Sequence, residues 1–232
     1  MTRRVVLRAA GLALAAVAVL VGLTIYFSSE GTPPCLISGV QKWQRPTDSS
    51  LRRFEVVIPD HALCFFDMDD QQQLVGYLAL PNIKGVVAAA PRNGKLALRY
   101  GAGRGALLDL VTGKIQFGVD PPPLPSATLR ARAPNRPELW VLDPSADVIR
   151  VFKTNASPRR QVARIKLTKS VRGAGALQHS NDGRFVYVGG VGDVIDANLR
   201  EEIANLQALR ATRVMFEVDW SGGKPLFTSG GR

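Results

Sequence analysis

Two histidines, His61 and His179, and two cysteines, Cys35 and Cys64, are all the imidazole and thiol groups in this 232-residue chain. A histidine-rich metal centre is therefore excluded within one chain, and cysteines 29 positions apart match neither a zinc nor a haem-attachment spacing. No Gly-x-Ser-x-Gly nucleophile turn is present. Asp67-Met68-Asp69-Asp70 lacks the glycine and distal glutamate of a calcium loop. Gly101-Ala102-Gly103-Arg104-Gly105 has phosphate-loop composition but precedes a strand-like run. A phosphate loop needs a helix there to aim its N–H groups at the anion. For acid–base chemistry the pattern leaves His179 and Glu217, and no convergent third group. No cofactor is indicated.

Charge is the stronger chemical signal. The net charge is +11, and without Arg3, Arg4 and Arg8 the remaining 27 basic and 19 acidic residues still leave +8. Such a surface favours acidic proteins, anionic ligands or lipid headgroups. Lys84, Lys169, Arg172, Arg210 and Arg213 fall between strand-like groups, and Arg130 and Arg132 sit on one strand. Together with His179 these are the candidate ligand- or partner-binding residues. Asp120 is the clearest acid in the same stretches, and Asp120–Pro125 reads as a stiff spacer.

The elements that must position these residues repeat. Asp67, Asp109, Lys153 and Asp196 each close a short apolar strand, at intervals of 42, 44 and 43 residues. Turn pairs run in step: Asn93-Gly94, Asp182-Gly183 and Gly222-Gly223, with Asn135-Arg136-Pro137 in the remaining position. A period near 40 built from strands alone is the signature of propeller blades. The expected fold is therefore all-β: four complete four-stranded blades plus a partial fifth.

Blade one is expected as Leu36–Trp43, Arg52–Ile58, Ala62–Asp67 and Leu74–Leu80. Blade two is Gly85–Ala90, Lys95–Tyr100, Gly105–Leu110 and Lys114–Val119. Blade three is Ala127–Arg132, Glu138–Leu142, Val148–Phe152 and Val162–Leu167. Blade four is Gly173–His179, Arg184–Val188, Asp193–Asp196 and Glu202–Leu206, with a helix over Asn198–Leu209 as the alternative for its last strand. A fifth begins with Arg213–Val218 and Lys224–Thr228. An unpaired edge there would be an aggregation hazard. It calls for another chain, a second copy of this one, or the N-terminal segment.

Asp182-Gly183-Arg184-Phe185-Val186-Tyr187-Val188 with Gly192-Asp193-Val194-Ile195-Asp196 resembles the YVTN-type β-propeller repeat, and Asn93–Leu96 with Leu107–Lys114 is similar. The resemblance covers about residues 51–232. It implies an extracytoplasmic scaffold, usually of seven blades, and it also spans lactonase-like and dehydrogenase-like enzymes with a site at the channel mouth.

Residues 9–27 carry no charge and follow a basic segment, residues 1–8. Their length suits a single membrane crossing with the basic end cytoplasmic. A cleaved export signal is the alternative, although Ser29-Glu30-Gly31 makes a poor cleavage site. The expected organisation is a linker over 28–36 and an extracytoplasmic domain over 37–232, on a bacterial cytoplasmic membrane. The expected function is a binding or scaffold protein that docks an acidic protein or anionic ligand through a basic face, as an accessory subunit of a membrane complex. Nucleic acid is not an expected partner, and a homo-oligomer through the incomplete fifth blade is. Cys35 and Cys64 lie where a disulfide can form. With Cys35 leading into the first strand of blade one, two strand spacings would separate them by about 9–10 Å, beyond the roughly 7 Å that a bridge tolerates. A disulfide then forms only if the segment before Leu36 curls back, and two buried thiols are the alternative.

Overall fold

Alternating apolar residues bounded by tight turns build every sheet of this protein. The computed structural model describes residue 35 and residues 40–124, 129–171, 175–212 and 214–226. The expected membrane segment, residues 9–27, lies outside these, as do Arg172 and Arg213. Among the described residues no helix is long and apolar enough to cross a membrane.

The first sheet contains β1 (Arg52–Val57), β2 (Ala62–Asp67) and β3 (Gln73–Ala79), and the second β4 (Val86–Arg92), β5 (Lys95–Tyr100), β6 (Arg104–Leu108) and β7 (Ile115–Phe117). The third contains β8 (Arg130–Arg132), β9 (Glu138–Asp143), β10 (Val148–Lys153) and β11 (Arg160–Lys166). The fourth contains β12 (Ala176–His179), β13 (Phe185–Gly189), β14 (Asp193–Asp196) and β15 (Glu201–Asn205). A one-turn helix, α1 (Gln207–Arg210), precedes β16 (Met215–Ser221) and β17 (Lys224–Leu226). The Asn198–Leu209 segment is thus divided between a strand and a helical turn.

Each of the second, third and fourth sheets is an antiparallel meander in chain order. This is a β-propeller-like arrangement. The first sheet differs from expectation. Its order is β17-β16-β1-β2-β3, so the two last strands complete it and do not begin a fifth. Six residue pairs join β16 to β1, from Arg52–Trp220 to Val57–Met215. The reason is apolar alternation in β16, which delivers Phe216, Val218 and Trp220 to the core. The described part of the expected Leu36–Trp43 strand lies at the opposite edge. Lys42 bridges Tyr77 of β3 in parallel, and Trp43 N–H donates to the Tyr77 carbonyl at 2.7 Å. Trp43 then stacks on Phe65 at 4.0 Å.

Three buried clusters hold the sheets face to face. Phe54, Phe65 and Trp220 of the first sheet meet Leu96, Leu98 and Leu108 of the second. The other face of the first sheet, with Val57, Cys64 and Phe66, meets Phe185, Tyr187 and Val194 of the fourth. The fourth in turn packs Leu177, Val186 and Val188 on Trp140, Ile149 and Val151 of the third. The sheets therefore stack in the order second, first, fourth, third. Among the described residues no buried cluster joins the second sheet to the third.

Cys35 and Cys64 form a disulfide with Cα atoms 5.7 Å apart. The separation argued from sequence does not apply, because β16 holds the first-strand position and Cys35 is buried within the cluster on the fourth-sheet side.

Candidate functional site

The period-setting aspartates are structural. Asp67 Oδ1 accepts the N–H groups of Asp69 and Asp70, at 2.9 and 3.2 Å. Asp109 does the same for Val111 and Thr112, at 2.9 and 3.0 Å. Asp196 accepts from Asn198 and Leu199, at 2.7 and 2.9 Å. Each carboxylate satisfies the turn that ends its strand.

The connections between sheets carry the predicted cations, but neighbouring turns bring acids onto them. Asp60 Oδ1 accepts the Gly85 N–H at 3.0 Å. Burial pushes Asp60 up, yet the Gly85 N–H, His61 and the Lys84 charge together hold it below its usual range. Lys169 is exposed and sits between two residues held by aspartates. Thr168 N–H donates to Asp193 at 2.9 Å, and the Ser170 hydroxyl donates to Asp147 at 2.7 Å. Arg210 is half-buried and donates from Nε to Asn205 Oδ1 at 2.7 Å, while Asn205 Nδ2 donates to Asp193. These stretches are therefore richer in acid than Asp120 alone suggested.

Arg130 and Arg132 land differently. Both are exposed on β8, two residues apart and so on one face of the third sheet. Strand register extends that face. Arg130 pairs with Val141 of β9, Val141 with Arg150 of β10, and Arg150 with Arg164 of β11. The next row contains Arg132, Leu139, Phe152 and Gln161, and the row on the other side contains Asp143, Val148 and Lys166. The opposite face holds Trp140, Ile149, Val151 and Ile165 against the fourth sheet. Five cations thus share a face with one acid, Asp143, which accepts from Arg150 at 3.1 Å. Among the described residues Arg130, Arg132, Arg164 and Lys166 form no ion pair. Sequence reading found Arg130 and Arg132 but missed Arg150, Arg164 and Lys166. Only the alternation Arg164-x-Lys166 hinted at them.

The acid–base candidates are not brought together. His179 lies edge-on to Trp140 at 5.4 Å, between the third and fourth sheets. Burial and the Arg136 charge push its pKa down to about 4. Its ring nitrogens have no hydrogen-bond partner, so it packs as a neutral aromatic and is not the backbone-satisfied turn residue that its position beside Ser180 suggests.

Glu217 lies at the other seam, between the first and fourth sheets, and only 3% exposed. It accepts the Asn181 N–H at 2.6 Å, and burial raises its pKa to about 7. Directly opposite in the β1–β16 register is Glu55, fully buried and with neither carboxyl oxygen hydrogen-bonded. Burial and then the Glu217 charge push Glu55 well above the usual carboxylate range. Sequence reading had no signal for Glu55, because nothing local shows that β1 is covered on both faces. Around this seam Arg53 pairs with both Asp69 and Asp182, and Arg184 lies 3.6 Å from Asp69.

Asn181-Asp182-Gly183, the turn of the best repeat, also ties in the third sheet. Asn135 Nδ2 donates to the Asp182 carbonyl at 2.9 Å, and Arg136 donates to the Gly183 carbonyl at 3.2 Å. Among the described residues no group of three or more metal-ligating side chains assembles.

No protein-family model matches the chain, and no curated protein matches it. Among solved structures it is similar to dihydro-heme d1 dehydrogenase NirN in complex with DHE, at 13% sequence identity and a TM-score of 0.28. That similarity covers 76% of this chain and 47% of the other, so the chain spans about half the length of that protein.

Proposed function

We propose that this protein is a membrane-tethered, extracytoplasmic binding module of the YVTN propeller type that docks an acidic protein through its basic surface. The observation that carries this reading is the exposure of Lys84, Arg130, Arg132 and Lys169, while the acid–base candidates, a buried Glu217 and a half-buried His179, lie at different seams. A carboxylate that is 3% exposed and a half-buried histidine whose ring nitrogens are shielded offer no reactive atom to a substrate at the surface. Long-range attraction between opposite charges speeds encounter and selects the partner's sign. The Cys35–Cys64 disulfide supports an oxidising compartment, and residues 9–27 supply the tether. Tethering raises the effective concentration of a membrane-bound partner, so modest contact energies suffice.

The test is isolation of the full chain from its native membranes in gentle detergent at low and high ionic strength. A stoichiometric acidic protein that leaves as salt rises is the expected result. A chain that stays in the soluble fraction, or whose partner is indifferent to salt, contradicts the reading.

A further inference from the structure

Among the described residues, no buried cluster places another sheet against the outer face of the third sheet. The first and fourth sheets are packed on both faces. The second sheet packs one face on the first, and its own following segment lies against part of the other. At Gly105, on that second face, a Cβ would overlap the Val119 carbonyl oxygen and come within 2.8 Å of Pro121 N. Arg99 Nε fastens the segment by donating to the Pro122 carbonyl at 2.7 Å. On the third sheet, the face away from the fourth carries Arg130, Arg132, Arg164 and Lys166 exposed, Arg150, Leu139, Val141 and Phe152 half-buried, and Val148 buried at one end between Asp143 and Lys166. Arg130, Arg150 and Arg164 form one row across the strands, about 14 Å long at a strand spacing of about 4.8 Å.

Resting on the reading of a basic docking module, we infer that this face of the third sheet is the docking surface, and that its occupant is a separate protein presenting an acidic, partly apolar surface. Charge decides among occupants. A second copy of this face would bring five cations against five. The chain's own remaining segments cannot neutralise it either. Residues 1–39 contain one acid, Glu30, and residues 125–128, 172–174, 213 and 227–232 contain none. The half-buried Leu139, Val141 and Phe152 between the arginines favour a protein over a lipid surface. They are half-buried, whereas side chains that insert into a membrane stand exposed. Arginine forks suit carboxylates in paired geometry, so several in one row give orientation as well as attraction.

The test uses the full chain in gentle detergent and a labelled polyglutamate peptide, read by fluorescence anisotropy at several salt concentrations. Wild type is expected to bind with an affinity that falls as salt rises. Arg150→Glu with Arg164→Glu is expected to weaken binding at least about tenfold. Because Arg150 also bonds Asp143, Arg130→Glu with Arg132→Glu serves as a second variant on exposed, unpaired positions, and it is expected to weaken binding similarly. Lys42→Glu with Lys114→Glu, exposed beside the first sheet and in the β6–β7 connection of the second, is expected to change affinity less than about twofold. If both third-sheet variants bind as wild type while Lys84→Glu with Lys169→Glu loses binding, the inference fails and the docking reading stands. If binding is salt-independent and no variant alters it, both fail. Tighter binding to phosphatidylglycerol vesicles than to the peptide, lost in the third-sheet variants, overturns the protein occupant in favour of lipid.

Discussion

Glu55 and Glu217 face each other across β1 and β16, both buried, and only Glu217 accepts a hydrogen bond, from the Asn181 N–H. Tyr187, whose hydroxyl donates to Gln72 Oε1 at 3.1 Å, bounds them from the fourth sheet. Asp219, Asp182 and Arg53 supply the other nearby charges. Both carboxyls have raised pKa values, so the folded protein holds protons that the unfolded chain releases. Their contribution to stability is full below the ordinary glutamate value of 4.5 and is lost as pH climbs. For Glu217 the loss is complete just above pH 7 and amounts to at most about 3 kcal/mol; Glu55 extends the decline upward. Glu217→Gln keeps an acceptor for the Asn181 N–H and removes the charge. It is expected to flatten the urea-denaturation stability between about pH 5 and 8 relative to wild type. Parallel curves for the two proteins would show that the pair does not carry the pH dependence. Gly105 makes a second residue-scale case. Gly105→Ala is expected to cost about 1–3 kcal/mol through the clash with Val119 and Pro121, read as a lowered urea midpoint. An unchanged midpoint would mean that the proline segment does not lie on that sheet.

At the scale of elements, strand closure is the decisive event, and it explains which parts were legible in advance. The strands of the second to fourth sheets follow from alternation and turn pairs within a few residues, and Asp67, Asp109 and Asp196 mark strand ends because each satisfies its own turn. The pairing of β16 with β1 joins residues more than 150 positions apart, and nothing local announces it. Consequently the last strands read as the start of a fifth blade, and the Cys35–Cys64 bridge stayed open until β16 took the first-strand position. The arginine row was hidden for the same reason. Arg150 and Arg164 are isolated cations within their strands, and only register places them beside Arg130. A chain ending at Val214 is expected to lose cooperative unfolding, since it uncovers Phe54 and Val56 and frees the edge of β1, whereas one ending at Leu226 keeps it. Circular-dichroism melts of the two distinguish the cases. Replacing both cysteines with serine is expected to lower stability by about 3–4 kcal/mol for a bridge between residues 29 apart. An unaltered denaturation midpoint would contradict that role.

For the whole molecule, the sheets stack in the order second, first, fourth, third, and among the described residues no buried cluster places another sheet on the basic outer face of the third. A domain with this surplus of positive charge repels itself and attracts acidic neighbours. The measurement that tests this account most directly is parallel isolation of wild type and the Arg130→Glu, Arg132→Glu, Arg150→Glu, Arg164→Glu variant from native membranes. Both would be taken in gentle detergent at matched expression, with the thermal melt of each recorded. The account predicts that wild type carries a stoichiometric acidic protein, released by salt, and that the equally folded variant carries none. Retention of the same protein by the folded variant would contradict it.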